Sequence, residues 1–457
     1  MIGIVILVVY TAIMLTATLL FTKRSEGEDF HVGNRKMGTF PSAMSIAATW
    51  IWAPALLVSA ENAYKMGIPG LFWFVVPNVL CLMLFIPFAK KIREKMQNGI
   101  TLSGFMGTQY KSTGVKRVYG FQLSFLAILS TAVQLLAGGS IVSKITGLPF
   151  ILVTIILAAI AFSYSQFSGI RASVLTDVIQ MALILAGCAL MVPWALGMHG
   201  GVNNLVKGLG GITGEFRSLL GSSGWSVFIS TGLATTIGLI SGPFGDQCFW
   251  QRAFSIKKEK IGRSFFLGAI LFGIVPLSMG ALGFIAAGSG MQAENTGLVN
   301  FELIGKIFPA WVMVPFLFMM VSGLLSTIDS NLCAVASLTT DLKESKPRIA
   351  MVALLAAGIC VASIPGLTVS KLFLIYGTLR ATTLLPTVLT LCDVHLNKNG
   401  VIAGVITALC TGLPLFSYAT LNGLSVWKSV FALYTVLISG TIALVWTLAS
   451  RKEAVDV

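Results

Sequence analysis

Charge is scarce in this chain, and so are the residues that most often bind metals. Only 11% of the 457 residues are charged and 56% are hydrophobic, whereas a typical soluble domain carries about 25% charged residues. This composition excludes a soluble enzyme and a disordered chain. The three histidines, His31, His199 and His395, lie far apart in sequence and give no ligand spacing for a metal centre. No nucleophile with a base is found at membrane depth, so we expect no enzyme.

Long uncharged apolar runs are abundant instead. About 20 apolar residues span the hydrocarbon core of a bilayer. Thirteen such runs, numbered 0 to 12, predict an all-α polytopic membrane protein. The runs lie at 2–22, 40–60, 67–89, 119–142, 147–163, 173–195, 225–245, 264–287, 310–338, 349–365, 371–391, 400–418 and 427–449.

The basic residues are distributed unevenly between the two sides of the predicted membrane. Of the 31 lysines and arginines, 23 follow even-numbered spans, seven lie on the other side, and Arg380 lies inside span 10. The positive-inside rule therefore predicts an outside N-terminus and a cytoplasmic C-terminus, in the plasma (cell inner) membrane. Because topology explains the net charge of +14, we expect a lipid bilayer and a small solute as partners, and no nucleic acid. The chain is expected to function as a monomer.

Two spans contain helix-breaking residues at corresponding positions. Pro54 interrupts span 1, "MSIAATWIWAPALLVSAENAY", and Gly242 and Pro243 interrupt span 6, "TTIGLISGPFGDQCFWQR". Paired breaks five spans apart indicate an inverted-repeat transporter, although Gly and Pro are also common in ordinary membrane helices. The predicted organisation is an extra helix and loop at 1–35, a first repeat at 36–224, a second repeat at 225–396, and two C-terminal helices at 397–457.

Ionisable and hydroxyl side chains inside spans mark candidate functional positions, because they are costly in lipid. Asp177 lies in span 5 and Asp329 in span 8. Span 8 also carries Ser322, Ser326, Thr327 and Ser330, whose spacing places several oxygens on one helix face. Such oxygens suit a hard cation such as sodium. Small-residue helix packing is the alternative interpretation.

Four ordered segments carry a family resemblance: "ATWIWAPALLVSAENAYKMGIPGLFWF", "GIRASVLTDVIQ", "FGDQCFWQRAF" and "GLLSTIDSNLCAVASLTTDL". Together they resemble the sodium:solute symporter family, with motifs nearest to its urea and polyamine permease branch. The resemblance implies a leucine-transporter-like fold with a 5+5 inverted-repeat core and one extra N-terminal helix. It also implies that sodium flow drives solute uptake by alternating access.

Carried over onto this sequence, the resemblance implies a sodium site between spans 1 and 8. Backbone carbonyls of Ala48, Ile51 and Gly323 and the hydroxyls of Ser326 and Thr327 are the expected ligands. Gly323 stands where the family usually has Ala, a conservative change because only its carbonyl is needed.

A second cation site is implied at Asp177, Asp329 and Ser330. Asp177 matches an acidic residue associated with a second sodium or proton route in some members. Asp329 stands at a position that is often Ser in the family.

The solute is expected between the two breaks, and Arg380 is the main clue to its chemistry. A guanidinium fork suits a carboxylate, but Arg380 has an equally weighted structural role, pairing with an acid such as Asp329. The aromatic group of Trp50, Trp52, Trp73 and Phe74 forms either a cation-binding box or a packed wall. The predicted lining residues are Trp50, Trp52, Pro54, Ala55, Trp73, Gln134, Ser241, Gly242, Tyr376 and Arg380.

The sequence therefore predicts a secondary-active sodium-coupled symporter that imports a small polar organic solute, either urea-like or amide-like or a small carboxylate. The alternative is a transporter-like membrane sensor that works with a separate signalling partner, since only "SRKEAVDV" follows the last span.

Overall fold

The computed structural model describes residues 2–198, 200–342 and 344–453, so that His199 lies outside the described residues. Within them the secondary structure is helical, and the one β-type pairing is an isolated bridge between Met37 and Ile256. The predicted all-α class is confirmed.

Twenty-two α-helices make up the described chain, numbered here in chain order. They are α1 Ile2–Phe21, α2 Gly27–Val32, α3 Thr39–Trp50, α4 Ala53–Leu56, α5 Val58–Lys95, α6 Leu102–Gln109, α7 Thr113–Thr146, α8 Phe150–Ser168, α9 Ile170–Gly197, α10 Gly201–Gly208, α11 Ser222–Val227, α12 Leu233–Ile240, α13 Gln247–Ser255, α14 Ile261–Gly288, α15 Val299–Ile307, α16 Met313–Leu338, α17 Pro347–Ala362, α18 Val369–Ala381, α19 Leu384–Leu391, α20 Lys398–Thr407, α21 Leu413–Leu421 and α22 Ser425–Glu453.

Eleven helical segments of the described chain are long and apolar enough to cross a membrane. The two other predicted spans have a different form: residues 40–60 are divided among several helices, and α17 is an apolar helix of only 16 residues. Large apolar side chains such as Leu20 and Phe21 are exposed, as expected of a surface that faces lipid. The protein is a multi-pass membrane protein. The total of thirteen spans and the inverted repeat stay predictions.

The first predicted break is present, and it lies just before Pro54. Helix α3 ends at Trp50, and α4 begins at Ala53 with Pro54 in its first turn. Between them, Trp52 has extended backbone angles (φ −89°, ψ 174°). Proline is tolerated in a first turn, where its missing N–H costs no helical hydrogen bond. The amide N–H of Ala53 donates to Oε1 of Gln134 at 2.7 Å, so α7 satisfies the exposed backbone.

The second predicted break separates α12 from α13 by a turn at residues 241–245. Glycine is required here by close approach. A Cβ on Gly242 would lie 2.3 Å from the Trp50 ring, and a Cβ on Gly245 would lie 2.6 Å from the carbonyl oxygen of Arg380. Asp246 then caps α13 by accepting from the backbone N–H of Cys248 at 3.0 Å. The two breaks thus pack near each other, at Trp50 and Gly242.

Helix α5 is itself divided at Met66 and Gly67. Gly67 has φ +55°, and a Cβ there would lie 2.4 Å from the carbonyl oxygen of Phe216. Only glycine fits this left-handed position. The division separates the end of predicted span 1 from span 2, where the sequence predicted a loop.

The two ends of the helix array differ. At the end that we call the basic end, where residues 35–37, 99–103 and 255–257 meet, Met37 pairs with the backbone of Ser255 and Lys257. There Arg35 also donates to the carbonyl oxygen of Gly99 at 2.7 Å. Toward the opposite end lies a cavity of about 430 Å³, bounded by α5, α7 and the segments 295–298 and 367–370. The array is therefore joined by backbone pairing at the basic end, whereas at the other end Glu61 accepts hydrogen bonds from Thr296 and Ser370 across the cavity.

Candidate ion and solute site

The predicted sodium ligands lie where α16 passes the first break. A Cβ on Gly323 would lie 3.1 Å from the carbonyl oxygen of Ile51 and 2.7 Å from Cδ1 of Leu56. The glycine therefore lets the α16 backbone approach the unwound residues closely. The backbone of Ile51 is non-helical (φ −85°, ψ 76°), so its carbonyl group leaves the helical hydrogen-bond pattern. Such backbone is tolerated at membrane depth only where it is buried in protein or lines a cavity.

Hydroxyl groups complete this oxygen set. Oγ1 of Thr327 lies 3.3 Å from the carbonyl oxygen of Thr49 and 3.2 Å from that of Gly323, so it bridges α3 and α16. The carbonyl of Ala48 accepts from the N–H of Ile51 at 3.1 Å and keeps a second lone pair. Carbonyl and hydroxyl oxygens are the ligands that a hard cation prefers. The residues present therefore fit a sodium ion.

Ser326 is buried on α16 and donates to Oδ1 of Asp177 at 2.5 Å. Because its proton points to α9, the lone pairs of its oxygen stay available to a cation on the other side. Asp177 therefore orients the Ser326 hydroxyl, in the way that residues behind a metal ligand commonly do. The structure thus joins a candidate ligand of the first site, Ser326, to a residue of the predicted second site, Asp177.

Asp177 also has a cationic partner that sequence reasoning missed. Nη2 of Arg252 lies 3.0 Å from Oδ2 of Asp177, and both side chains are buried. The same Nη2 donates to Oγ of Ser330 at 2.7 Å, and Nε donates to Oγ of Ser45 at 3.0 Å. Sequence analysis had counted Arg252 among loop residues, whereas it lies in α13, which continues the second broken span inward.

Asp329 lies beside this pair but is held differently. Its Oδ1 accepts from Ser173 at 2.7 Å, and its Oδ2 accepts from Thr176 at 3.2 Å. Oγ of Ser330 is 3.4 Å from Oδ1. Across the described ranges, no lysine, arginine or histidine makes an ion pair with Asp329, which is fully buried. The three residues of the predicted second cation site thus share one cluster.

Arg380 pairs with Asp246 and not with Asp329, contrary to the partner suggested by the sequence. Nη2 of Arg380 lies 2.8 Å from Oδ2 of Asp246, and both residues are buried. Asp329 lies on α16 and accepts hydrogen bonds from Ser173 and Thr176 of α9. Asp246 instead caps α13, the helix that follows the second break. The turn at residues 241–245, where Gly245 packs against the Arg380 backbone, therefore brings the Asp246 carboxylate next to α18.

Aromatic rings surround the Arg380 guanidinium. Its Cζ lies 4.6 Å from the ring centroids of Trp52 and Tyr376 and 4.9 Å from that of Trp50. Trp50 and Trp52 stack on each other with centroids 4.6 Å apart. Such contacts stabilise a cation by the ring quadrupole. Of the aromatic group considered from the sequence, Trp50 and Trp52 enclose the guanidinium together with Tyr376, and a side chain of the protein thus occupies this box.

Several buried polar atoms around this box have no partner among the described residues. They include Nε and Nη1 of Arg380, Nε1 of Trp52 and Oη of Tyr376. Unpartnered buried donors are costly, so native sites normally reserve them for water or a ligand. These four donors belong to three side chains in mutual contact, and donors of this kind suit a solute rich in acceptor oxygens.

The other predicted lining residues differ in whether they lie beside the aromatic box. Gly242 lies against Trp50, and Pro54 and Ala55 are buried in α4, next to the box. Gln134 caps α4, and the Ser241 hydroxyl bonds back to the carbonyl of Ile237. Trp73 packs on Phe228 with centroids 4.6 Å apart, and its ring contacts within the described residues do not include the box.

Sequence reasoning missed two charged partners: Asp246, which pairs with Arg380, and Arg252, which pairs with Asp177. Both lie in the segment "FGDQCFWQRAF", whose charges were assigned to a loop. The signal available in the sequence was a short amphipathic segment that follows a Gly-Pro break. Charges buried in such a segment require partners. Among the described residues, no group of three or more His, Cys, Asp or Glu residues is arranged to hold a metal.

Comparisons with known proteins agree with this geometry. A sequence model of the sodium:solute symporter family matches residues 30–407. The urea active transporter of Saccharomyces cerevisiae is 24% identical over 458 residues, covering 90% of this chain and 61% of the yeast protein. The sodium/pantothenate symporter of Escherichia coli is 24% identical over 424 residues, covering 88% of this chain and 86% of that protein. The chain thus spans about three fifths of the yeast relative.

A solved structure shows the same fold. The substrate-bound, outward-open form of a Na⁺-coupled sialic acid symporter superposes with a TM-score of 0.75, at 16% identity, over 97% of this chain and 98% of that one. The chain therefore has a leucine-transporter-like architecture.

Proposed function

Because the chain belongs to the sodium:solute symporter family, we propose that it imports a small polar organic solute by alternating access, driven by an inward sodium gradient. The relatives and the solved neighbour named above are transporters, and the protein is a sodium-coupled symporter, not an enzyme. The sensor alternative gains no support from them. Sodium binds at the residues Ala48, Ile51, Gly323, Ser326 and Thr327.

One observation carries the proposal: the sodium ligands and the solute box share the same unwound segment. Ile51 faces Gly323 on the ion side. Trp50 and Trp52, immediately before and after it, enclose Arg380 on the solute side. Any ion that orders residue 51 also orders the two rings. Occupancy of one site therefore changes the affinity of the other, and this coupling is reciprocal.

The solute is either urea-like or amide-like or a small carboxylate. All three present carbonyl or carboxylate oxygens to the unpartnered donors of Arg380, Trp52 and Tyr376. Relatives named for urea and for pantothenate support these solute classes. Trp50, Pro54, Ala55, Trp73, Gln134, Ser241 and Gly242 complete the proposed lining.

The basic end is proposed to face the cytoplasm, with the N-terminus outside and residues 36–224 and 225–396 as inverted repeats. The cavity of about 430 Å³ then opens to the outside, and the structure corresponds to a form closed toward the cytoplasm. In this form Oγ of Ser103 donates to Oδ2 of Asp341 at 2.6 Å, joining α6 to the end of α16. We further propose a monomeric transporter in the plasma (cell inner) membrane.

A thermal-shift screen tests the proposal. The purified protein is heated in sodium or in potassium buffer, each with ureas, amides, carboxylates, amino acids or nucleobases. Ligands that bind the folded state raise the unfolding temperature by mass action. We expect one solute class to stabilise the protein in sodium and much less in potassium. Stabilisation of equal size in both salts would contradict sodium coupling.

A further inference from the structure

Helices α5 and α14 lie side by side and run in opposite directions. A Cβ on Gly262, at the start of α14, would lie 3.0 Å from Cε of Lys90, near the end of α5. A Cβ on Gly280, near the end of α14, would lie 2.5 Å from Cδ2 of Leu71, in the first half of α5. The two helices are therefore in contact along most of their length.

Each helix of this pair exposes large apolar side chains to the surroundings of the protein. On α14 they recur at spacings of three and four residues and so share one helix face: Phe266, Ile270, Ile274 and Leu277. On α5, Leu80 and Leu84 are exposed and lie one helical turn apart. Because the helices are adjacent, these residues form one apolar surface, which we call the α5–α14 surface.

Cations gather where the α5–α14 surface reaches the basic end. Arg263 is exposed and lies three residues before Phe266, so it continues the exposed face of α14. Nζ of Lys90 would lie 3.2 Å from a Cβ on Gly262, which places this ammonium group beside the first turn of α14. Lys260 belongs to the short turn that leads into the same helix. Three positive side chains thus meet at one end of an apolar surface.

The protein does not neutralise these three cations. Within the part of the chain that the structure describes, no ion pair is made by the residues that we call the cation triad, Lys90, Lys260 and Arg263. In the neighbouring turn Lys258 pairs with Glu94 at 3.9 Å, and the charge of Lys257 offsets that of Glu259. The triad therefore presents a positive potential that an anion can complement.

We propose that an anionic phospholipid binds here, with its phosphate at the cation triad and its acyl chains along the α5–α14 surface. Lysine and arginine have long apolar stems, which lie along a lipid-facing helix while the charged ends stay at the membrane surface. Juxtamembrane cations of this kind attract anionic lipids. A free phosphate ion would match the triad but gain nothing from the apolar residues, so the lipid is the occupant that fits both features.

This inference goes beyond the proposed transport function and does not depend on it. A purely topogenic role is the competing explanation for the triad, because lysines and arginines in loops set membrane orientation by their number. The two explanations differ in one respect. A lipid site depends on which cations are present, whereas a topogenic role depends on how many.

Thermal unfolding in mixed micelles tests the proposal. The purified full-length protein is titrated with dioleoylphosphatidylglycerol or dioleoylphosphatidylcholine, in potassium buffer without solute, so that neither sodium nor substrate contributes. A lipid that binds the folded state raises the unfolding temperature. We expect phosphatidylglycerol to raise it and phosphatidylcholine to do so much less. The triad variant, Lys90→Gln with Lys260→Gln and Arg263→Gln, should bind phosphatidylglycerol at least tenfold more weakly.

The matched control removes three other exposed cations, which also make no ion pair within the described ranges: Arg117→Gln with Arg348→Gln and Lys398→Gln. It should keep the wild-type response to phosphatidylglycerol. Equal weakening in the triad and control variants would show that the lipid responds to total positive charge, and would overturn a defined site. Equal stabilisation by the two lipids would also overturn the proposal.

The apolar half of the site has its own test. Phe266→Ala with Ile270→Ala keeps the triad but removes acyl-chain contacts, so it should weaken the response to phosphatidylglycerol. Inorganic phosphate, added against chloride at equal ionic strength, should not stabilise the wild type. If it does, and the triad variant loses that effect, the occupant is a free anion and the lipid proposal is wrong.

A second measurement decides the question if the triad variant does not fold. Native mass spectrometry of the wild-type protein, supplied with an equal mixture of the two lipids, should show a preferential complex with one phosphatidylglycerol molecule. The single variant Arg263→Gln should reduce this preference, and Arg348→Gln should not. Equal retention of the two lipids by the wild type would overturn the proposal.

Discussion

Ser326 donates its hydroxyl proton to Asp177 at 2.5 Å, across the interface between α16 and α9. The carboxylate that receives this proton is held from the other side by Arg252. The candidate sodium site is thus connected by one hydrogen bond to a buried ion pair. Changes to the ion pair should therefore reach sodium affinity without any contact with the ion.

The hydroxyls of α16 should determine sodium affinity. Replacing both Ser326 and Thr327 by Ala removes two oxygen ligands and should raise the sodium concentration for half-maximal uptake at least tenfold. Uptake in proteoliposomes, measured against sodium concentration, checks this. Ser322→Ala is the matched control, because Ser322 is a buried serine on the same helix and is not among the expected sodium ligands. An unchanged sodium requirement in the double variant would show that the main site is placed wrongly.

Breaking the Arg380 and Asp246 pair should destabilise the protein. Removing one partner leaves the other charge buried alone, which costs about 3–5 kcal/mol. Asp246→Asn and Arg380→Ala should each lower the unfolding temperature markedly and abolish solute binding. Arg380→Gln combined with Asp246→Asn leaves no charge unpaired, so its unfolding temperature should partly recover while solute binding stays absent. If each single variant unfolds at the wild-type temperature, the pair contributes nothing to stability.

Gly242 should tolerate no side chain while Trp50 is present. An added Cβ would lie 2.3 Å from the Trp50 ring, so Gly242→Ala must displace a ring that encloses Arg380. We expect solute binding to weaken at least tenfold, by thermal shift or uptake. Gly242→Ala with Trp50→Phe should recover part of the loss, because the smaller ring ends before the clash. If the double variant does not recover solute binding, the loss arises from the turn at residues 241–245 and not from the Trp50 ring.

His31 should make stability depend on pH. Burial in α2 lowers the pKa of His31 to about 4, from an ordinary value of 6.5. The unfolded chain therefore binds a proton at a higher pH than the folded chain, and stability is lost as pH falls from about 6.5 toward 4. Unfolding temperatures between pH 7 and pH 4.5 should fall less for His31→Gln than for wild type. The exposed His395, changed to Gln, is the control, and an equal effect there would contradict the assignment to His31.

Both helix breaks could be predicted from the sequence, because proline and glycine weaken a helix at their own positions, whereas the packing of Gly242 on Trp50 and of Gly245 on Arg380 could not. The hydroxyl pattern of α16 was equally readable, since helical spacing places Ser326, Thr327 and Ser330 near one another. These features depend only on neighbours within one or two helical turns.

The partners of the buried charges could not be predicted in the same way. Arg252 meets Asp177 from 75 residues away, and Arg380 meets Asp246 from 134 residues away. Such pairs depend on which helices pack together, and apolar periodicity does not encode that. In addition, α13 is a short helix whose charges resemble those of an ordinary loop. Its burial therefore could not be predicted from the sequence.

The enclosed guanidinium of Arg380 has an evolutionary consequence. Because Asp246 and Arg380 neutralise each other, mutation of either one alone leaves an unpaired charge buried in the protein. A lineage that changes its solute at this position must therefore pass through an unstable intermediate or alter both codons together. Specificity is more readily diversified at neutral positions of the proposed lining, such as Ala55, where a single substitution leaves the buried ion pair intact.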